Sequence, residues 1–389
     1  MLHENVQHIN EAAKAVSLYR PRTSHRAPAG SNVNFRISRE PFRLPAPYTE
    51  QMQTYSTALA KWYRNCRQLS MLPPHWEALA KSFDHYELGG MHMFIRPDFL
   101  PTNEGLKCVE VETSPFGLGL SLWLQNTYEE LGFGTVGNHL WHRNFPNDLA
   151  FVTTEHTSQY EGQLTYLADL LQRQDKEACV KNAAKIHLRH DSQTIYRAFY
   201  LYEHSRKIDA LLHQRHCPPS DLFVESKLPL ALAWDDANGA DPLLREIIPP
   251  TWVVKHGFPC PFSSWEDLVN MPASKRLYVL KLAGCSAGSS WSEGVHFLHK
   301  LSKEKCGKLL KDALEGKALY VLQKYTESAK FSQMWFDFES KSEKTMDGRV
   351  RLTPYVNPEN GEIFTAKVVI RAGTDRIHGA TDAVITAVC

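Results

Sequence analysis

No stretch of the chain approaches the roughly 18 consecutive apolar residues that a membrane span needs. The longest apolar run, around Leu228–Trp234, reads as a strand or a short helix. The first residues, MLHENVQHINEAAK, are polar and amphipathic and carry no apolar signal-peptide core. Neither sign of charge is in excess: 44 Lys and Arg face 43 Asp and Glu, for a net charge of +1. A protein that lives on nucleic-acid phosphates usually shows a basic surplus, so neither nucleic acid nor a membrane is an expected partner. Cysteine is sparse, eight residues at scattered spacings without a CxxC pair, which predicts reduced thiols and a cytoplasmic location. The HExxH motif is missing. What remains is a chain of 389 residues, 43% hydrophobic and 22% charged, ample for a sizeable core in two or three domains. A soluble intracellular enzyme is the class these absences leave.

Along the chain, Pro- and Gly-rich punctuation up to residue 47 predicts an arm over the body. From Tyr48 the spacing of Met52, Tyr55, Leu59, Trp62 and Tyr63 predicts a helix that Pro73-Pro74 ends, and a short helix follows over Trp76–Phe83. Residues 91–96 and 106–112 read as strands joined by a turn at Asn103-Glu104-Gly105, and Gly117-Leu118-Gly119 opens a helix through Glu130. Residues 149–250 alternate strand and helix, with a helix after Asp191, which predicts a small Rossmann-like α/β lobe. Residues 251–389 mix both, with strands at Tyr278–Lys281, Ala318–Gln323, Arg349–Tyr355 and Ile363–Arg371. The units are therefore 1–47, 48–148, 149–250 and 251–389, in a mixed α+β or α/β fold.

Four clusters could carry chemistry. If the two early strands pair, Arg96 and Asp98 share a face with Glu110 and Glu112, because strand side chains alternate. Three carboxylates there repel one another unless a divalent cation intervenes, and all-oxygen ligands favour Mg²⁺. The bland reading is a solvated, charged hairpin rim. Second, a hydrophobic strand ends in Lys281 and runs into small residues, with Ser286, Ala287, Gly288, Ser289 and Ser290 at its heart. Small residues let N–H groups approach phosphate oxygens while the lysine supplies a point charge; a plain surface loop is the alternative. Third, Gln323, Lys324 and Tyr325 break out of a strand and could present main-chain groups to an adenine edge. Fourth, Arg371 closes a late strand. The histidine pairs His139/His142 and His187/His190, and the group His213, His216 and Cys217, lack a matching second half as metal sites.

Taken together, the four clusters resemble the ATP-grasp superfamily. Their order, acidic strands before nucleotide elements, resembles its circularly permuted branch, which includes the glutathionylspermidine synthase-like carboxylate–amine ligases. Tyr196-Arg197-Ala198-Phe199 and Ile248-Pro249-Pro250-Thr251 add short matches, and the resemblance spans roughly residues 40–389. It implies that Arg96 and Arg371 steady transition-state charge, that Asp98, Glu110 and Glu112 hold Mg²⁺ (or Mn²⁺), and that Lys281 and Ser286–Ser290 hold the phosphates of ATP. It also makes Gln323–Tyr325 the adenine hinge. Glu112 stands where the family usually has Asn. Asn238 stands where a second lysine is usual, so either Lys255 substitutes or nucleotide affinity is reduced. The implied activity joins a small carboxylic acid to an amine through an acyl phosphate, releasing ADP and phosphate. The rivals are a nucleotide-binding pseudoenzyme and a small-molecule phosphotransferase.

Overall fold

The computed structural model describes residues 2–16, 18, 31–66, 72–82, 93–186, 193–203, 206–213, 215–238, 240–284, 286, 294–379 and 381–389. Three sheets organise it. The central one runs β1 (Arg36–Ile37), β15 (Val384–Ala387), β14 (Ile363–Arg371), β13 (Ser342–Val356), β2 (Arg96–Thr102), β3 (Gly105–Glu112). The long β13 pairs with β14 on one edge; its other edge is shared, first by β12 (Lys330–Asp337) and then by β2, where Leu352 faces Phe99. The β2–β3 hairpin forms because Gly105, at φ +102°, takes a backbone conformation a side chain would strain, and a Cβ there would also collide with Gln51. The helix Ala46–Cys66 lays Met52, Tyr55, Leu59 and Tyr63 on this sheet's core, and the helix Pro74–Lys81 adds Trp76 and Leu79. The helix Leu2–Ala15 packs Val6, Ile9 and Ala13 with Trp123, Leu124 and Tyr128.

The second sheet is the parallel lobe, in the order β5 (Glu177–Asn182), β4 (Asp148–Thr153), β6 (Thr194–Ala198), β7 (His216–Cys217). The helix expected after Asp191 is corrected here: Thr194–Ala198 is a strand. Thr194, Ile195 and Tyr196 are β-formers, and all five residues are buried on both faces, which suits an inner parallel strand rather than a half-solvated helix. The helix Glu161–Gln172 links β4 to β5 as foreseen. It touches the helix Leu118–Glu130 so closely that a Cβ on Gly119 would sit 2.0 Å from the Gln163 carbonyl oxygen. Gly119→Ala should therefore lower stability by about 1–3 kcal/mol, read as a fall in the urea midpoint. Gly134→Ala, with nothing within 4 Å, serves as the control.

The third sheet is antiparallel: β10 (Val295–Phe297), β9 (Tyr278–Leu282), β11 (Tyr320–Lys324), β8 (Thr251–Val253). Leu280 and Leu322 point to the helices Trp265–Asn270 and Lys303–Leu314, where Trp265, Leu268 and Leu310 cover them. Alternation then sends Val279, Lys281, Val321 and Gln323 to the opposite face, toward the central sheet. The apolar run at Leu228 is a short helix, Leu228–Leu232.

Candidate functional site

Where the third sheet meets the β2–β3 hairpin, a cleft of about 740 Å³, counting its open mouth, lies between them. Asp98, Glu110, Lys281, Gln323, Tyr325, Arg349, Arg351 and Asp375 are among its lining residues. The hairpin register places Arg96 opposite Glu112 and Asp98 opposite Glu110, so all four ionisable side chains occupy one face. Lys281 is buried, and its ammonium donates to the Val109 carbonyl at 2.8 Å and to Gln323 Oε1 at 2.7 Å. Gln323 in turn donates to Thr251 Oγ1 at 3.1 Å. The lysine thus ties the two sheets together across 172 positions of sequence, immediately beside Glu110.

Each carboxylate already has a cation. Asp98 accepts from Arg96 Nε at 2.9 Å and from Arg351 Nη1 at 2.9 Å. Glu110 pairs with Lys227 at 3.0 Å, and Glu112 pairs with Arg96. Burial works against the Glu110 charge, but Lys227 and then Lys281 overrule it and hold the carboxyl at about 2. Burial, reinforced by Lys227, pushes the Lys281 ammonium down to about 8 against the pull of Glu110, so at neutral pH it is still mostly charged. The Glu112 carboxyl is raised by burial and by Asp98 and Glu110, with Arg96 opposing. Among the described residues no three His, Cys, Asp or Glu side chains stand together as a ready metal cage. Asp98 and Glu110, facing each other across one rung, offer the hard oxygens that suit Mg²⁺ where phosphate and water complete the shell.

The other residues singled out from sequence fall in several places. Arg96 and Glu112 share the hairpin face but are one rung beyond the cleft lining. Lys324 and Tyr325 line the cleft, yet their N–H groups are engaged by the Pro250 and Leu277 carbonyls at 2.8 and 2.9 Å, so they offer side chains there. The Tyr325 hydroxyl donates to Asp375 at 3.1 Å. Arg371 turns to the Arg376 carbonyl, His378 Nδ1 and Asp382 at 3.0, 2.8 and 2.8 Å, and does not line the cleft; its cross-strand neighbour Arg349 does. Lys255 is exposed after β8, and Asn238 caps its own turn by donating to the Leu232 carbonyl at 3.4 Å; neither lines the cleft. Ser286 is described, whereas Ala287, Gly288, Ser289 and Ser290, like His187 and His190, lie outside the described residues.

Four residues at this site, Arg349, Arg351, Asp375 and Lys227, went unnoticed in the sequence. Arg349 and Arg351 alternate on β13, and that spacing within a strand candidate was the available signal. Lys227 precedes the Leu228–Leu232 helix with no motif around it, so only the fold reveals that it reaches Glu110.

No family model matches the chain, and no curated protein matches it. Among solved structures it is similar to a glutathione synthetase-like effector from Globodera pallida in its apo form, at a TM-score of 0.54 and 12% identity, covering 100% of this chain and 96% of that one. Weaker likenesses are a protein assigned as a gamma-glutamylcysteine synthetase from Methylobacillus flagellatus, at 0.43 and 13% over 88% and 87% of the two chains. D-alanine–D-alanine ligase from Bacillus anthracis, complexed with ATP, scores 0.26 at 10% over 61% and 86%. The chain is a mixed α/β protein that shares the overall fold of the Globodera pallida effector along its whole length.

Proposed function

We propose that the chain is an ATP-dependent carboxylate–amine ligase of the permuted ATP-grasp kind, with nucleotide phosphates in the cleft between the third sheet and the hairpin. The observation that carries this reading is the Lys281 ammonium buried against the Val109 carbonyl, beside Glu110 and opposite Asp98 and Arg351. A merely charged hairpin rim has no reason to face a buried lysine from a different sheet. Cations and carboxylates gathered around one cleft are the groups that phosphoryl transfer needs, because its catalysis is mostly positioning and charge compensation. Lys281 and Lys227 hold phosphate oxygens, Lys227 taking the part for which Lys255 was a candidate. Asp98 and Glu110 would hold Mg²⁺, which would supply Lewis-acid neutralisation of the transferring group. For that, Lys227 moves from Glu110 to phosphate. Arg351, and Arg96 next to it, face the carboxylate that becomes the acyl phosphate and stabilise its oxyanion when the amine adds. The Tyr325 ring lines the nucleotide end.

The full set of ion pairs also favours a second reading, a nucleotide-binding protein without turnover, since every carboxylate at the cleft is already neutralised. Amine-dependent ADP release separates the two. The binding step is tested at Lys281: a buried charge-assisted contact contributes roughly 1.5–3 kcal/mol, so Lys281→Ala should weaken ATP about ten- to hundredfold by calorimetry. Unchanged affinity would remove ATP from this cleft.

A further inference from the structure

A second cavity, of about 780 Å³ counting its open mouth, shares Lys324, Tyr325 and Thr326 with the phosphate cleft but is lined by none of Asp98, Glu110, Lys281 or Arg351. That size falls within the roughly 300–1,000 Å³ of small-molecule sites. Its other walls are the tip of the β2–β3 hairpin, from Thr102 to Lys107, and the stretch from Arg245 to Pro250 that leads into β8. Hydrogen bonds fix these walls. Tyr48 and Gln51 of the helix Ala46–Cys66 hold the hairpin tip, Tyr48 donating to the Thr102 carbonyl at 2.9 Å and Gln51 Oε1 accepting from the Leu106 N–H at 2.9 Å. Lys107 donates to the Glu246 carbonyl at 2.9 Å, and the Lys324 N–H to the Pro250 carbonyl at 2.8 Å. Beyond Glu327 the chain returns to the hairpin, where the Ala329 N–H meets the Pro101 carbonyl at 2.7 Å. The cavity is therefore preformed, and an entering ligand does not have to order its walls.

Cleft and cavity differ in charge. Five cations against three carboxylates line the cleft, an excess that suits phosphates, whereas three of each line the cavity. An anion meets as much repulsion as attraction in a balanced cavity, and so does a cation; a ligand carrying both charges can pair with each. Two opposite groups there have capacity left. The exposed Lys324 ammonium has no hydrogen-bond or ion-pair partner among the described residues. Glu246 accepts from the Tyr55 hydroxyl at 2.5 Å through Oε1, and its other oxygen is unbonded among the described residues. Ile248 and Pro249, both buried, give the cavity an apolar side.

We propose that this cavity is a second binding site, selective for a short zwitterionic peptide. The peptide carboxylate accepts from Lys324, its ammonium donates to Glu246, and an apolar side chain lies against Ile248 and Pro249. The site stands apart from Lys281 and Glu110, so the inference does not depend on the ligase reading above.

The test titrates the full chain, without nucleotide, with glycyl-leucine, N-acetyl-glycyl-leucine and glycyl-leucinamide, followed by ligand-observed NMR. The three share one skeleton and carry both charges, only the negative and only the positive one. Glycyl-leucine should bind at least about tenfold more tightly than either analogue. Lys324→Met and Glu246→Gln should each cut its affinity about tenfold, with the thermal transition still cooperative. Both side chains are exposed, and glutamine keeps an acceptor for Tyr55, so a folding defect does not imitate the loss. In Lys281→Ala the peptide should bind as in the wild type. No binding, equal affinity for the three probes, or undiminished binding in either variant overturns the inference. So does a matching loss in Lys281→Ala, which would place the peptide in the phosphate cleft. Failure of the ligase reading looks different: ATP affinity is then indifferent to Lys281→Ala, while glycyl-leucine still binds through Lys324 and Glu246.

Discussion

Glu110→Gln should abolish ATP turnover while leaving the protein folded. Glutamine keeps the shape of the side chain and its place on β3, but it removes the one charge that both Lys227 and Lys281 oppose. With the carboxyl held at about 2, wild-type Glu110 is ionised at any working pH, so the substitution deletes a full unit of charge. Two consequences follow. The facing Asp98 would become the single carboxylate on that rung, so a Mg²⁺ held as proposed would lose half its protein ligands. The two ammoniums lose their common counter-ion, which misplaces them for phosphate. Removing one preorganised electrostatic group from an active site lowers the rate on the order of a hundred- to a thousandfold. ADP release under saturating Mg²⁺ and ATP should fall to background, with the thermal transition still cooperative. Glu104→Gln at the hairpin tip, where the side chain is 86% exposed and 3.9 Å from Lys107, removes the same charge and should leave the rate alone. Full turnover in Glu110→Gln would sink the metal assignment, and equal losses in both variants would reduce the hairpin to a general charge effect.

The strand residues that form this site were legible because a strand's alternation is rigid. Once Arg96, Asp98, Glu110 and Glu112 are read as hairpin positions, a shared face follows from geometry alone. Lys281 at the end of Val279-Leu280 was legible for the same reason: two apolar neighbours buried on opposite faces leave the lysine pointing with Val279. Which face then meets which is a matter of tertiary arrangement, and no local pattern encodes it. Hence Lys227 was invisible, and Asn238 and Lys255 were weighed in its stead. The same limit explains Thr194–Ala198. A five-residue buried run has no readable period, and only its neighbours β4 and β7 determine that it pairs as a strand. Arg371 shows the converse error of scale: its place at the end of β14 was evident, but its guanidinium turns to His378, Asp382 and the Arg376 carbonyl, all within eleven residues.

At pH 8, where the Glu225 carboxyl is ionised, Glu225→Ala should destabilise the parallel lobe by about 3–5 kcal/mol, the largest effect on stability expected of any single change discussed, because it leaves a buried cation without its counter-ion. Arg197 sits on β6 with none of its surface exposed, and it donates to the Phe199 carbonyl at 3.0 Å, to the Pro219 carbonyl at 3.3 Å and to the Glu225 carboxylate. Two carbonyls supply hydrogen bonds but no net charge. Burial raises the Glu225 carboxyl to about 7, with Arg197 pulling the other way. The folded value lies above the unfolded one near 4.5, so the native state binds the extra proton between those limits. Stability from this group is therefore fully present below pH 4.5 and is lost as pH rises through 7. In the Ala variant that slope disappears, and Arg197 keeps only the Phe199 and Pro219 carbonyls as partners in a site closed to water. A paired replacement by apolar residues of similar volume, Arg197→Met with Glu225→Leu, removes both charges and should recover most of the loss, since a buried ion pair is often neutral against a packed apolar pair. Urea unfolding at pH 5.5 and 8 reads both effects. If Glu225→Ala shifts the midpoint no more than the double variant does, Arg197 is reached by water, and the lobe's interior is wetter than its burial indicates.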